Sequence, residues 1–321
     1  MARQSKNYFR ILSFDGGGVR AILPAIFLAR LEKAFPKMIE NTNLFVGTSA
    51  GSFIALALAN GIKPEKIVSL FSYENTKLIF HRSRFIYLFR PKYRNANLIN
   101  LLKTVFSPTL RLKDLPHRVV IPAFRIHSDE APAWEPVFFN NFPSSTNADT
   151  PVIDVALASS AAPIYFPSHQ NYIDGGVIAN NPDLVAISYA VGEQAARAKL
   201  QNVVHLSFGT GWNPLNIDKN TKKWGLFQWV YSLLPKETTP KLPLFSVLTG
   251  GDVASDMFVT KNLLNDRYLR VSPELHERIH LDDYTKIPAL TKIAEQFDLS
   301  QASEFVRKYW DNETIINFQS K

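Results

Sequence analysis

The 321-residue chain contains no cysteine. Disulfides and thiolate metal sites are therefore excluded, although that absence does not fix the compartment. No apolar run is long enough to span a bilayer, and the longest, Leu44–Ala59, is interrupted by glycines and serines. No signal-peptide core fits before the first predicted strand near Tyr8. The expectation is a cytoplasmic protein, peripheral at membranes, with export by a signal-independent route left open. No Walker loop of the form G-x-x-x-x-G-K-[ST] occurs, which removes that class of nucleotide site. Internal repeats and low-complexity tracts are missing too. Asp and Glu are absent from Asn75 to Lys113, a window that holds nine Lys and Arg.

What remains is a chain with 46% hydrophobic and 20% charged residues, enough to bury a sizeable core. Its net charge of +8 and pI near 9.5 point to an anionic partner, either nucleic acid or a membrane surface. In the acid-free window Phe80, Phe85, Tyr87, Phe89 and Tyr93 alternate with the basic residues. That mixture suits an anionic bilayer, and it suits a solvated basic face over buried aromatics equally well. No nucleic-acid motif accompanies it, so no nucleic acid is expected. The candidate contacts for a transient anionic membrane surface are Arg82, Arg84, Arg90 and Arg94.

The chain is organised around Leu44–Ala59, LFVGTSAGSFIALALA. Leu44-Phe45-Val46 reads as a buried strand, Gly47-Thr48-Ser49-Ala50-Gly51 as a sharp turn, and the apolar run to Ala59 as a helix. Strand, G-x-S-x-G, helix is the context of a nucleophile elbow. Gly47, Ala50 and Gly51 are small enough for the strand and helix to approach each other. The helix N-terminus turns free amides and a positive dipole end toward Ser49, which favours a developing oxyanion. A tight turn around a buried serine would give the same pattern.

Upstream, Tyr8–Phe14 reads as a strand, Asp15-Gly16-Gly17-Gly18 as a loop and Val19–Phe35 as a helix. With the strand at Leu44 these form a βαβ unit, which should be parallel and right-handed. Successive glycines let backbone N–H groups crowd around an anion, either a phosphate or a tetrahedral oxyanion. A dinucleotide fingerprint needs glycine where Ala21 stands and an acid about twenty residues on, and Glu32 and Glu40 are poorly placed for that. Arg20 could add positive charge behind the loop, or simply be solvated on its helix.

Further along, helices are expected over Pro64–Phe80, Pro151–Ala162, Asn180–Ala198, Ser246–Leu264 and Thr285–Phe318. Strands are expected over Arg118–Ile126, Trp134–Asn140, Asn171–Ile173, Asn202–Phe208 and Tyr268–Val271. Asp174-Gly175-Gly176 puts a carboxylate at a strand end with room around it, or forms an ordinary Asp-Gly turn. Lys222–Pro235 is short, strongly apolar and flanked by lysines, which fits a core helix or lid better than a membrane-touching one.

DGGGVR (15–20), GTSAG (47–51), ASSAAPIYFP (158–167), DGG (174–176) and NNP (180–182), in that order, resemble the patatin-like phospholipases. SFGTG (207–211), YLRV (268–271) and LDD (281–283) are similar to the family's C-terminal part, so the resemblance spans most of the chain. It implies a three-layer α/β/α fold with a mainly parallel central sheet. The catalytic core would be residues 8–211, with motifs through 182, and 212–321 the helical C-terminal part of the same domain. It also implies hydrolysis of acyl esters in phospholipids or related lipids, with no metal or cofactor. Ser49 would be the nucleophile, Asp174 its base, and Gly16, Gly17 and Gly18 the oxyanion hole with Arg20 behind them. Ala21 and Ser52 stand where the family has glycines, which bears on loop geometry more than on chemistry. Some bacterial relatives are switched on by a signal or host factor, and no such activator can be read from this sequence.

Two other readings remain. An α/β-hydrolase with a Ser-His-Asp triad would draw on His205, His276 or His280, but the elbow comes too early in the chain to leave room for the strands that precede it in that fold. A non-catalytic lipid- or nucleic-acid-binding protein would use the basic window and leave Ser49, Asp174 and the glycine loop without a purpose.

Overall fold

A computed structural model describes residues 8–81, 89–129, 133–213, 217, 220–230 and 243–311, the side chain of residue 245 apart. The first βαβ unit runs from β1 (Phe9–Phe14) through a 3-10 turn (Gly18–Ala21) and α1 (Ile22–Ala34) to β2 (Leu44–Gly47). The expected helix at Val19 therefore starts one turn late. β1 and β2 are parallel, with Ile11 opposite Leu44 and Phe14 opposite Gly47. Leu12, Phe14 and Phe45 pack to one side of the sheet, and Ile11, Leu44 and Val46 to the other. Strands buried on both faces read as continuous apolar runs rather than alternating ones.

α2 (Ala50–Ala59) follows β2 and is buried all round, as its uniformly apolar sequence requires. The next expected helix is two: α3 (Pro64–Leu70) and α4 (Tyr73–Ile79). The break falls where Ser72 caps α4 by accepting a hydrogen bond from the Asn75 N–H at 3.2 Å. α5 (Ala96–Lys103) leads to β3 (Arg118–Arg125), β4 (Glu135–Asn140), α6 (Val152–Ser159) and β5 (Tyr172–Asp174). α7 (Asp183–Val191) stops at Gly192, well short of Ala198. β6 (Val203–Phe208), α8 (Leu226–Val230), α9 (Pro243–Leu264), β7 (Tyr268–Val271), α10 (Ile287–Gln296) and α11 (Ser300–Tyr309) complete the described chain.

Among the described residues the sheet has seven strands, in the order β4-β3-β2-β1-β6-β7 with β5 against β3. β3, β2, β1, β6 and β7 are mutually parallel, and β4 and β5 run against β3. α7 and the end of α9 cover one face. α1, α2, α6, α10 and α11 cover the other. This is the expected three-layer α/β/α arrangement.

One detail of the register builds the site. β4 occupies one edge of β3 from Val120 to Arg125. On the other edge β2 pairs with Arg118–Val120, and β5 pairs with Ala123–Arg125. β2 and β5 thus lie end to end along one strand and point at each other. Pro122, which cannot donate to a ladder, sits between the two pairings. The turn after β2 carries Ser49, and β5 ends on Asp174.

Candidate active site

Ser49 has φ 53° and ψ −123°, a left-handed backbone that a non-glycine residue adopts only when its surroundings impose it. The imposition comes from both sides. A Cβ on Gly47 would overlap the carbonyl of Gly51, and one on Gly51 would overlap the carbonyls of Phe14 and Asp15. The Ser49 N–H donates to Ser159 Oγ at 3.0 Å, and Ser159 Oγ donates in turn to the Pro122 carbonyl at 2.7 Å. Thr48 donates its hydroxyl to Ala179 O at 2.6 Å and is fully buried, so it braces the turn.

Ser49 Oγ donates to Asp174 Oδ2 at 2.6 Å. The other carboxylate oxygen accepts the Gly176 N–H at 2.6 Å. Gly175 packs against the Pro122 carbonyl so closely that a Cβ there would overlap it. Burial raises the Asp174 pKa to about 6, and the hydrogen bonds from Ser49 and Gly176 oppose that rise only in part.

The three loop glycines differ. The Gly16 N–H donates to Asn180 O at 3.0 Å, and Gly16 O accepts from Thr210 Oγ1 at 3.0 Å. Its amide is committed and cannot serve an incoming anion. The amides of Gly17 and Gly18 make no hydrogen bond among the described residues, and both glycines line one cavity with Ser49 and Asp174. Arg20 is not a freely solvated helix arginine, and it is not hydrogen-bonded to Ser49. It is half-buried on the cavity wall, and its Nε and Nη1 lie 3.5 Å from the carbonyls of Gly17 and Gly211. The cavity holds about 210 Å³, and Phe53, Phe71, Ile79, Phe80, Leu101 and Phe166 make much of its wall apolar.

Asp15 anchors the loop from below. Arg270 of β7 pairs with it through both guanidinium nitrogens, and Nη1 also donates to Ser207 Oγ at 2.8 Å. Burial pushes the Asp15 carboxyl up to about 6 despite the pull of Arg270. Arg270→Met should therefore cost about 3–5 kcal/mol of stability, because it strands a buried carboxylate. The unpaired carboxyl would hold its proton more tightly in the folded state than in the unfolded one. The loss should therefore be larger at pH 8 than at pH 5. Urea unfolding at the two pH values checks this.

His205 is fully buried and stands 2.8 Å from Ser13 Oγ and 3.3 Å from Asp183 Oδ1, within a network that Tyr268 completes. It makes no contact with Ser49. His276 and His280 are exposed. Among the described residues no three His, Asp or Glu side chains are grouped to hold a metal ion.

The proposed membrane patch is only half described. Arg90 and Arg94 are exposed, whereas Arg82 and Arg84 lie outside the described residues. The apolar segment expected as core or lid is not core where it is described, since Leu226 and Phe227 of α8 are 73% and 83% exposed. Residues 231–235 of that segment lie outside the description. No helix among the described residues is long and apolar enough to cross a membrane.

A serine on a forced strand-to-helix turn above a mainly parallel, doubly covered sheet defines a three-layer α/β protein with a G-x-S-x-G turn at the end of β2. The match to known families is specific: a profile described as patatin-like phospholipase covers residues 12–187. The chain belongs to the patatin-like phospholipase family. It is 34% identical over 318 residues to protein teg of Priestia megaterium, covering 94% of this chain and 99% of that one. It is 30% identical over 240 residues to a cGAMP-activated phospholipase of Pseudomonas aeruginosa, covering 70% of this chain and 71% of that one. Among solved structures, ExoU of Pseudomonas aeruginosa, in complex with SpcU, aligns over 96% of this chain at 15% identity with a TM-score of 0.41. The chain spans 54% of that structure's chain.

Proposed function

We propose that this protein is a lipid acyl hydrolase in which Ser49 is the nucleophile, Asp174 its base, and the amides of Gly17 and Gly18 the oxyanion hole. The observation that carries the reading is the 2.6 Å hydrogen bond from Ser49 Oγ to Asp174 Oδ2, made on the wall of a largely apolar cavity that is also lined by Gly17 and Gly18, whose amides have no partner among the described residues. The Asp174 carboxylate takes the hydroxyl proton as Oγ bonds to the ester carbonyl carbon. The carbonyl oxygen becomes an oxyanion within reach of the Gly17 and Gly18 N–H groups, and each such donor is typically worth about 3–4 kcal/mol. Collapse breaks the bond to the leaving alkoxide, which takes the proton from Asp174. Water, deprotonated by the same carboxylate, then cleaves the acyl-enzyme and releases the fatty acid.

An aspartate at its ordinary pKa is a weak base, and a value near 6 brings it closer to working pH without neutralising it there. Lipid lies in a surface, so the enzyme must dock before an acyl chain enters. Arg90, Arg94 and the outward side chains of α8 are the described candidates for that contact.

A fluorophosphonate probe should label Ser49 and no other residue, read by peptide mass spectrometry. On a soluble short-chain ester, kcat/KM should be flat above pH 7 and fall roughly tenfold per unit well below pH 6, as the base takes up its proton. Labelling elsewhere, or a profile indifferent to pH between 5 and 7, would overturn the dyad.

A further inference from the structure

The stretch between β5 and α7 passes beside the dyad, and Asn180 is held there by both of its peptide groups. Its N–H donates to Asp252 Oδ2 of α9 at 3.0 Å, and its carbonyl accepts the Gly16 N–H at 3.0 Å. The next residue, Asn181, is fully buried, and its Oδ1 accepts the Asp183 N–H at 3.1 Å where α7 begins. Pinned in this way, Asn180 lines the cavity together with Ser49 and Asp174. Its side chain lies between the two glycine motifs. A Cβ on Gly16 would overlap Asn180 Oδ1 and stand 3.2 Å from Ser49 Cβ. A Cβ on Gly176 would stand 3.0 Å from the same Oδ1 and 2.9 Å from Asp174 Oδ1. The Asn180 amide is therefore a neighbour of Ser49 and of Asp174 alike.

Among the described residues that side chain makes no hydrogen bond. Other hydroxyls of the wall are committed, since Thr76 and Ser160 donate to the carbonyls of Ser72 and Ala156 one turn back. An amide offers an acceptor at one end and a donor at the other, and a half-turn about Cβ–Cγ exchanges them. The two halves of an acyl-enzyme reaction make unequal demands on such a group. In the first half the nucleophile is tethered, because Ser49 Oγ is fixed by the chain and by its bond to Asp174 Oδ2. Once an acyl group sits on Oγ that proton is gone, and Oδ2 has lost its donor. The second nucleophile is a water molecule with no tether. One hydrogen bond to Oδ2 leaves it able to swing, and a second fixed partner is needed to aim its oxygen at the acyl carbon.

We propose that the Asn180 side chain holds the water that cleaves the acyl-enzyme, with Asp174 as the base for that water. This role rests on the acyl-hydrolase reading and concerns only its second half. The water gives one proton to Asp174 Oδ2, and its other O–H bonds to Asn180 Oδ1. Its oxygen bonds to the acyl carbon, and the carbonyl oxygen becomes the oxyanion. Collapse breaks the bond from the acyl carbon to Ser49 Oγ. Oγ takes the proton back from Asp174, and the fatty acid leaves. Asn180 gains and loses no proton, so removing its amide should slow the second half and spare the first.

The test uses p-nitrophenyl butyrate, a soluble ester whose first product is coloured. With enzyme in excess, release of p-nitrophenol reports acylation. Rapid-quench mass spectrometry then times the loss of the butyryl group from Ser49. Asn180→Ala keeps both backbone hydrogen bonds of residue 180. It should acylate within about threefold of the wild-type rate and lose the butyryl group roughly 10–100-fold more slowly. If both phases slowed together, or if the loss kept its wild-type rate, the role of Asn180 would fall and the dyad would stand. If wild type cleaved the ester and no butyryl group reached Ser49, the acyl-hydrolase reading would fall and take this role with it. Asn180→Asp, close in shape to the native residue, covers the case in which alanine disturbs the loop. Its carboxylate still accepts from the water, so deacylation should be partly restored at high pH. A second negative charge beside Asp174 makes that base hold its proton more tightly. The pH at which kcat/KM falls should therefore rise by about one unit or more. A profile left at its wild-type position would put residue 180 too far from the base to share a water with it, and would sink the proposal.

Discussion

Ser49→Ala and Asp174→Asn should each lower kcat on a soluble ester by at least about 10³-fold, and the double variant should be no worse than either single one. The reason is that, on the proposed reading, the two groups form one device. Without Ser49 Oγ no acyl-enzyme forms. Without the carboxylate at 2.6 Å the hydroxyl keeps its proton. Asparagine is close in shape to aspartate, so the Gly176 N–H still finds an acceptor and the turn survives. Near-ultraviolet circular dichroism should therefore be unchanged. A double variant far weaker than both singles would mean that the residues act separately. Exposed His276 and His280 serve as controls, and their alanine variants should keep nearly full activity.

Gly18→Ala should have the next largest effect, a fall in kcat of about 10²–10³-fold, the value of one lost oxyanion donor. Gly18 has φ +57°, and a methyl group there would overlap the Leu281 carbonyl. The loop must move, and its two unpartnered amides move with it. Gly61→Ala separates this displacement from backbone strain. Gly61 has φ +74°, but a Cβ there meets nothing within 4 Å. That variant should lose about 1–2 kcal/mol of stability from the left-handed backbone and keep its kcat. Steady-state kinetics and urea unfolding of both variants decide the matter. Equal loss of kcat in the two would remove the special role of the Gly18 amide.

The parts of the fold legible in the sequence are those made by neighbours in sequence. Leu44–Gly47 is apolar throughout because both faces of the sheet are covered, and the small residues of GTSAG leave a strand-to-helix turn little alternative. Tyr268–Val271 is likewise a strand over the expected bounds. The grouping of Ser49 with Asp174 came from a family likeness rather than from spacing, because no local pattern reveals that β5 pairs with β3 beyond the end of β2. For the same reason the glycine loop read as three equal donors. Only the tertiary contact with Asn180 takes Gly16 out of service.

Ser159, Thr210 and Arg270 were visible as members of short motifs without a purpose. Their roles depend on carbonyls and a carboxylate contributed from elsewhere in the chain. The segment after Lys222 misled in the opposite direction. Apolar composition predicts burial only if something covers the residues, and Leu226 and Phe227 are left open.

The end-to-end meeting of β2 and β5 also orders events in time. A ribosome makes the serine first, and the carbonyls of Phe14, Asp15 and Gly51 that crowd its turn lie within residues 14–55, whereas Ser159 and the Ala179 carbonyl, which hold the turn from the other side, come later. The carboxylate follows 125 residues after the serine, then Arg270, and then the Leu281 carbonyl that fixes the glycine loop. A nascent chain thus holds Ser49 before it holds the groups that brace its turn, the carboxylate beside it or the contact that fixes the glycine loop. On the proposed reading, activity toward lipid therefore arrives only once the segment at Leu281 has joined the glycine loop.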